Sequence, residues 1–123
     1  MAERHELGDL TLAVSTEPAG VVVQWLGRST AQNPEAVVGP YVNTAMARAM
    51  SLRLALVHDF TQLTFFNSST ISALLRHFRE VEGRGVVVHV RYAMNQRWQR
   101  TFFAALDTTR ESTTRIRVEA VGG

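Results

Sequence analysis

Apolar and polar residues alternate over Leu10-Thr11-Leu12-Ala13-Val14, the period of two that marks a strand with one buried face. Glu17-Pro18-Ala19-Gly20 predicts a turn, and Val21-Val22-Val23-Gln24-Trp25-Leu26 a second strand that returns as a hairpin. Gly27 to Asn33 reads as a polar loop. Asn33-Pro34-Glu35 then opens a helix, with asparagine as cap, proline at the first helical position and an acid in the first turn. Gly39-Pro40 interrupts it, which leaves two outcomes: a short turn followed by a helix over about 40–50, or one kinked helix. Val42, Ala45, Met46, Ala49 and Met50 keep the three-and-four spacing of a helix face.

Residues 54–60 form a nearly continuous apolar run and predict a central strand buried on both faces. Ile71, Leu74, Leu75, Phe78 and Val81 then share one helical face, and Gly83 is a natural stop. A further buried strand is expected over 85–91. A third amphipathic helix follows over 95–106, with Trp98, Phe102, Ala105 and Leu106 inward. Strict alternation over 115–121 predicts a last strand at a sheet edge. The order β-β-α-β-α-β-α-β calls for an α/β fold: one mixed sheet, largely parallel after the opening hairpin, with helical crossovers. At 123 residues the chain suits one domain, 1–123, with its core over about 10–121.

Composition narrows the function classes. An apolar share of 46% with 20% charged residues fits a packed globular chain. All thirteen basic residues are arginines, the formal net charge is only +2, and the arginines are interspersed with acids and apolar residues. They build no run, so a nucleic-acid footprint is not expected. No apolar stretch approaches the roughly 18–20 residues of a membrane span. The charged residues 1–6 lack the apolar centre of a signal peptide, which points to a cytoplasmic protein without membrane insertion.

Catalytic chemistry finds little support. The absence of cysteine excludes disulfides, thiolate metal ligands and cysteine nucleophiles. His5, His58, His77 and His89 show no His-x-x-x-His pairing on a helix, so no metal site is expected. His58-Asp59 near a serine lacks the Gly-x-Ser-x-Gly elbow of a hydrolase. Gly83-Arg84-Gly85 reads as a turn and not as a phosphate loop. Trp98, at helical spacing from Phe102, reads as packing, and Phe65-Phe66 as one aromatic in the core and one at an interface. The expectation is a protein without catalytic residues, metal or cofactor.

One segment stands out. A buried strand ending in Asp59 is followed by a spacer, then by Asn67-Ser68-Ser69-Thr70 opening a helix that continues Ile71-Ser72-Ala73-Leu74-Leu75. This resembles the signature of the STAS domain, the fold of bacterial anti-sigma factor antagonists, in which Asp-Ser-Ser-Gly opens a helix running Leu-x-x-Leu-Leu. The likeness extends to Gly27 after the second strand, to Gly83-Arg84-Gly85 before the Val-Val-Val strand, and to the last helix. Asn67 stands where that family has aspartate, and Thr70 where it has glycine. The resemblance implies a STAS-like fold and phosphorylation of the motif's second serine, here Ser69, with Ser68 and Thr70 as neighbouring alternatives. Ser68 is expected to cap the helix.

The resemblance further implies partner switching. Gly27, Arg28, Ser29, Asn67, Ser68, Ser69 and Thr70 would meet an anti-sigma factor or serine-kinase-like protein, and a cognate phosphatase would reverse the modification. A helix N-terminus suits such a switch, because its free N–H groups and positive dipole end tolerate a phosphate. The departures at Asn67 and Thr70 motivate an alternative, an unphosphorylated scaffold subunit of a transporter or signalling complex. A third reading is a small-ligand or nucleotide-binding domain, with a polar pocket near the strand ends. Many STAS domains carry a helix after their last strand; without one, a patch is left for self-association as a homodimer.

Overall fold

The structure is a computed structural model that describes residues 3–109 and 116–122. Along the chain run β1 (Glu3–Leu7), β2 (Leu10–Glu17), β3 (Gly20–Ser29), α1 (Pro34–Leu52), β4 (Leu56–Phe66), α2 (Ser68–Gly83), β5 (Val88–Ala93), α3 (Arg97–Thr109) and β6 (Ile116–Val121). The strands form a six-stranded sheet in sequential order, β1-β2-β3-β4-β5-β6. The first two pairings are antiparallel, and the pairings from β3 to β6 are parallel. This is the expected mixed α/β, STAS-like architecture with one addition. The charged segment that begins the chain is a strand, β1, paired along β2 from Glu3↔Val14 to Leu7↔Leu10. Its short polar pattern reflects an edge, where only one side of the ladder and one face are covered.

Because the order from β3 to β6 never reverses, right-handed crossovers place every helix on the same face. Side-chain contacts agree. The registers put two adjacent rows on one face: His5, Leu12 and Trp25, and Val14, Val23, His58 and Val90. On it His5 stacks on Tyr41 of α1, and His58 meets His77 and Phe78 of α2. Tyr92, two residues on from Val90, stacks on Phe103 of α3. Among the described residues the other face carries no helix. β4 is therefore not covered by helices on both sides as expected: Val57 is buried among its in-sheet neighbours, whereas Asp59 and Thr61 are half-buried and Gln62 and Thr64 exposed. Helix α1 is continuous through Pro40, which resolves the two outcomes in favour of one helix. Among the described residues no helix is long and apolar enough to cross a membrane. The side chains of Ala105, Leu106 and Arg115, placed above in the third helix and last strand, lie outside the described set.

Two devices shape the end of the sheet that leads into α2. The β4–β5 pairing stops at Asp59↔Arg91, so backbone groups beyond that point need other partners. The buried side chain of Gln99 supplies them: its Oε1 accepts from the Ala93 N–H at 2.7 Å, and its Nε2 donates to the carbonyls of Phe60 and Leu63 at 2.7 and 2.6 Å. Phe66 then closes the core against Trp98 and Phe102. The second device is Gly27. The strand β3 continues through it to Ser29, where a loop was expected, because the ladder with β4 shifts register on both sides of it.

Gly27 has φ +92, and a Cβ there would lie 2.2 Å from the Asp9 carbonyl oxygen. That carbonyl accepts the Arg28 N–H at 3.0 Å. Gly27→Ala therefore meets both an unfavourable backbone region and a backbone clash, and it should destabilise the protein by more than about 1 kcal/mol in urea denaturation.

Candidate functional site

The ends of β3 and β4 bring the sequence-predicted residues together at the start of α2. Asn67, not Ser68, caps the helix: its Oδ1 accepts from the Thr70 N–H at 2.9 Å. The asparagine is superior here because its amide does three things at once. Besides accepting that N–H, its Oδ1 accepts the Thr70 hydroxyl at 2.7 Å and its Nδ2 donates to the Ala31 carbonyl at 3.0 Å, while the Asn67 backbone N–H separately donates to the Ser29 carbonyl at 3.0 Å. Since Oδ1 can only accept, the Thr70 hydroxyl proton is committed to it. The 2.7 Å contact between Ser29 Oγ and Thr70 Oγ1 must then have Ser29 as donor.

Ser29 and Thr70 are thus buried, turned into the protein away from the surface on which they were expected. Thr70 sits within the helix without positive φ, so the family's glycine conformation is not needed at this position. Its hydroxyl is fully used. By contrast, Ser68 is exposed and Ser69 half-buried, in the first turn, where N–H groups have no helical acceptor. Arg28 is exposed opposite Phe65 in the β3–β4 register, its guanidinium 5.3 Å from the ring centre of Phe65. Phe65 is 42% exposed and Phe66 only 7%, the division between interface and core that the pair suggested. Gly27 contributes backbone only: its carbonyl accepts the Thr64 hydroxyl at 3.0 Å.

Next to this segment runs a groove between α1 and α2 of about 270 Å³, lined by Trp25, Thr70, Leu74 and His77 among others. An ion pair between Glu35 of α1 and Arg76 of α2 ties the two helices at its rim. Beneath it lies a relay that sequence reasoning missed. The Trp25 indole donates to His58 Nδ1 at 3.1 Å, and His58 Nε2 lies 2.9 Å from His77 Nε2. An indole N–H can only donate, so His58 carries its proton on Nε2 and gives it to His77, which must be protonated on Nδ1. Both rings are neutral. Burial holds His58 well below its ordinary pKa, with the charge of His77 as a second cause, and burial holds His77 down to about 4. The available signal was the position of His77 between Leu74 and Val81 on the apolar stripe of α2.

Two measurements check these networks. Thr70→Val keeps the shape but strands the Ser29 hydroxyl and one contact of Asn67, and it should lower unfolding stability by about 1–3 kcal/mol in urea titrations. The histidine relay predicts acid lability. The unfolded chain takes up protons near pH 6.5 while the native rings refuse them, so stability is full above that pH and falls between about 6.5 and 4. The slope should approach about 1.4 kcal/mol per pH unit for each histidine, and His77→Leu should flatten it.

No described protein family matches the chain, and no curated protein matches it. Among solved structures it is similar to the activator SiaC in the crystal structure of the diguanylate cyclase SiaD in complex with its activator SiaC from Pseudomonas aeruginosa. The two are 22% identical, with 97% of this chain and 99% of that chain covered at a TM-score of 0.59. What this chain shares with that activator is its fold.

Proposed function

We propose that this protein is a non-catalytic regulator of the anti-sigma factor antagonist type, which binds a partner protein through the start of α2 and the adjoining end of β3. Phosphorylation of Ser69 controls that binding. The observation that carries the reading is the Asn67–Thr70–Ser29 network. It uses the asparagine and the buried hydroxyls to hold the helix start, and it leaves Ser68 exposed and Ser69 half-buried, with no side-chain hydrogen bond to either among the described residues. A phosphate on Ser69 would meet free first-turn N–H groups and the positive end of the helix, so it need not unfold the domain. It would add nearly two negative charges to a small contact surface that includes Phe65 and Arg28, and so weaken a partner fitted to the unmodified form. The partner we propose is a serine-kinase-like protein, with a phosphatase restoring the binding form. The shared fold with an activator captured on its enzyme supports a role in protein binding.

Phosphopeptide mapping of protein purified from its native host should place the modification on Ser69. In pull-downs, Ser69→Ala should retain the partner, whereas Ser69→Glu should lose at least about tenfold in capture. A phosphate found on Ser68 would move the switch by one residue. Equal capture by all variants with no phosphopeptide would overturn the switch and leave a constitutive scaffold.

A further inference from the structure

The opposite pole of the sheet, where the parallel strands begin, carries a second feature. A cleft of about 490 Å³ lies between the end of α1, the α2–β5 turn and the start of β6. Its walls include Met50, Leu54 and Val86, and it is lined by three arginines from three separate elements: Arg53, Arg84 and Arg117. Among the described residues no carboxylate lines it. Glu80 lies a loose 3.8 Å from Arg84, and neither Arg53 nor Arg117 pairs with a carboxylate among the described residues. The apolar surface continues outward, with Met50 41% and Leu52 50% exposed. Arg53 also sits in the left-handed region, at φ 57 and ψ 43, where glycine is the favoured residue. An arginine retained there at a conformational cost invites a role for its charge.

We propose that this cleft docks an acidic amphipathic segment of a partner protein, with its carboxylates on the three guanidiniums and an apolar side chain over Met50 and Leu54. Charge complementarity selects an anionic occupant, since planar guanidiniums pair with carboxylates or phosphates in bidentate fashion. The helix geometry decides between those two. Compact phosphates settle on helix N-termini, whose N–H groups point at them. Here the ends nearest the cleft are the C-termini of α1 and α2, whose carbonyls carry partial negative charge. That favours anions held out at the guanidinium tips above an apolar floor, the pattern of an amphipathic protein segment. The cleft lies at the other end of the sheet from Ser69, so it binds independently of the switch proposed there.

Fluorescence anisotropy of the full chain with a short labelled peptide of glutamate and leucine, leucines at three-and-four spacing, tests this. The combined Arg53→Gly, Arg84→Gln and Arg117→Gln variant should weaken binding by about tenfold or more. A variant with the same loss of charge elsewhere, Arg4→Gln with Arg79→Gln and Arg97→Gln, should change it by less than about twofold. Arg53→Gly alone should weaken binding while raising the melting temperature, because glycine relieves the left-handed position; a loss of binding there cannot come from unfolding. Met50→Gln with Leu52→Gln should also weaken it. Absence of peptide binding, equal losses in the two arginine variants, or displacement by inorganic phosphate but not by sodium chloride of equal ionic strength would overturn the proposal.

Discussion

All helices of this protein cross on one face of a sheet whose strand order never reverses, and any polar side chain that points to that face enters an apolar core. Among the described residues the buried polar ones are Ser29, His58, Thr70 and Gln99. An unpartnered polar group in such a place is costly, and each of these is answered by a group distant in the chain. Gln99 completes the backbone bonds of β4 and β5 where their pairing ends. His58 is held between Trp25 and His77. Ser29 and Thr70 share a hydroxyl contact across 41 residues of chain. The placement of α2 against β3 and β4 depends on these bonds as much as on the aromatic packing around Phe60 and Phe66.

The two ends of the sheet follow from this arrangement and differ in character. At the ends of β3 and β4, satisfied polar groups make a rigid foundation beneath Ser68, Ser69, Arg28 and Phe65. Rigidity there suits recognition, because a partner then loses little ordering free energy on binding. At the other end, helix C-termini and short turns leave guanidiniums and apolar side chains open to solvent. The histidine relay lies between α2 and the sheet. Burial there disfavours a charge on either ring.

Much of the fold was legible in the chain. Alternation over 10–14, the apolar run over 54–60 and the helical stripe of Ile71, Leu74, Phe78 and Val81 placed the main elements, since hydrophobic periodicity reports directly which face is buried. The turn at 17–20 and the start of α1 at Pro34 were marked by residues with restricted backbones. The strand β1 was hidden because an edge strand with a polar pattern looks like a charged terminus. The extension of β3 through Gly27 was hidden because a glycine reads as a loop, whereas here it serves the close approach of β3 to Asp9.

At the candidate site, the resemblance to STAS domains implied which residues would meet: the glycine, arginine and serine of the loop expected after the second strand, and the Asn-Ser-Ser-Thr segment opening a helix. The sequence by itself determined only the helix start, because short polar side chains before an apolar stripe are helix starts. Tertiary structure alone decided their division of labour. Asn67 became the cap, Thr70 and Ser29 turned inward, and Ser68 was left exposed and Ser69 half-buried. Which hydroxyl is consumed depends on an oxygen delivered from a strand about forty residues away. Such long-range partners leave no periodicity in the chain, so only the folded arrangement distinguishes two adjacent serines from the threonine beside them.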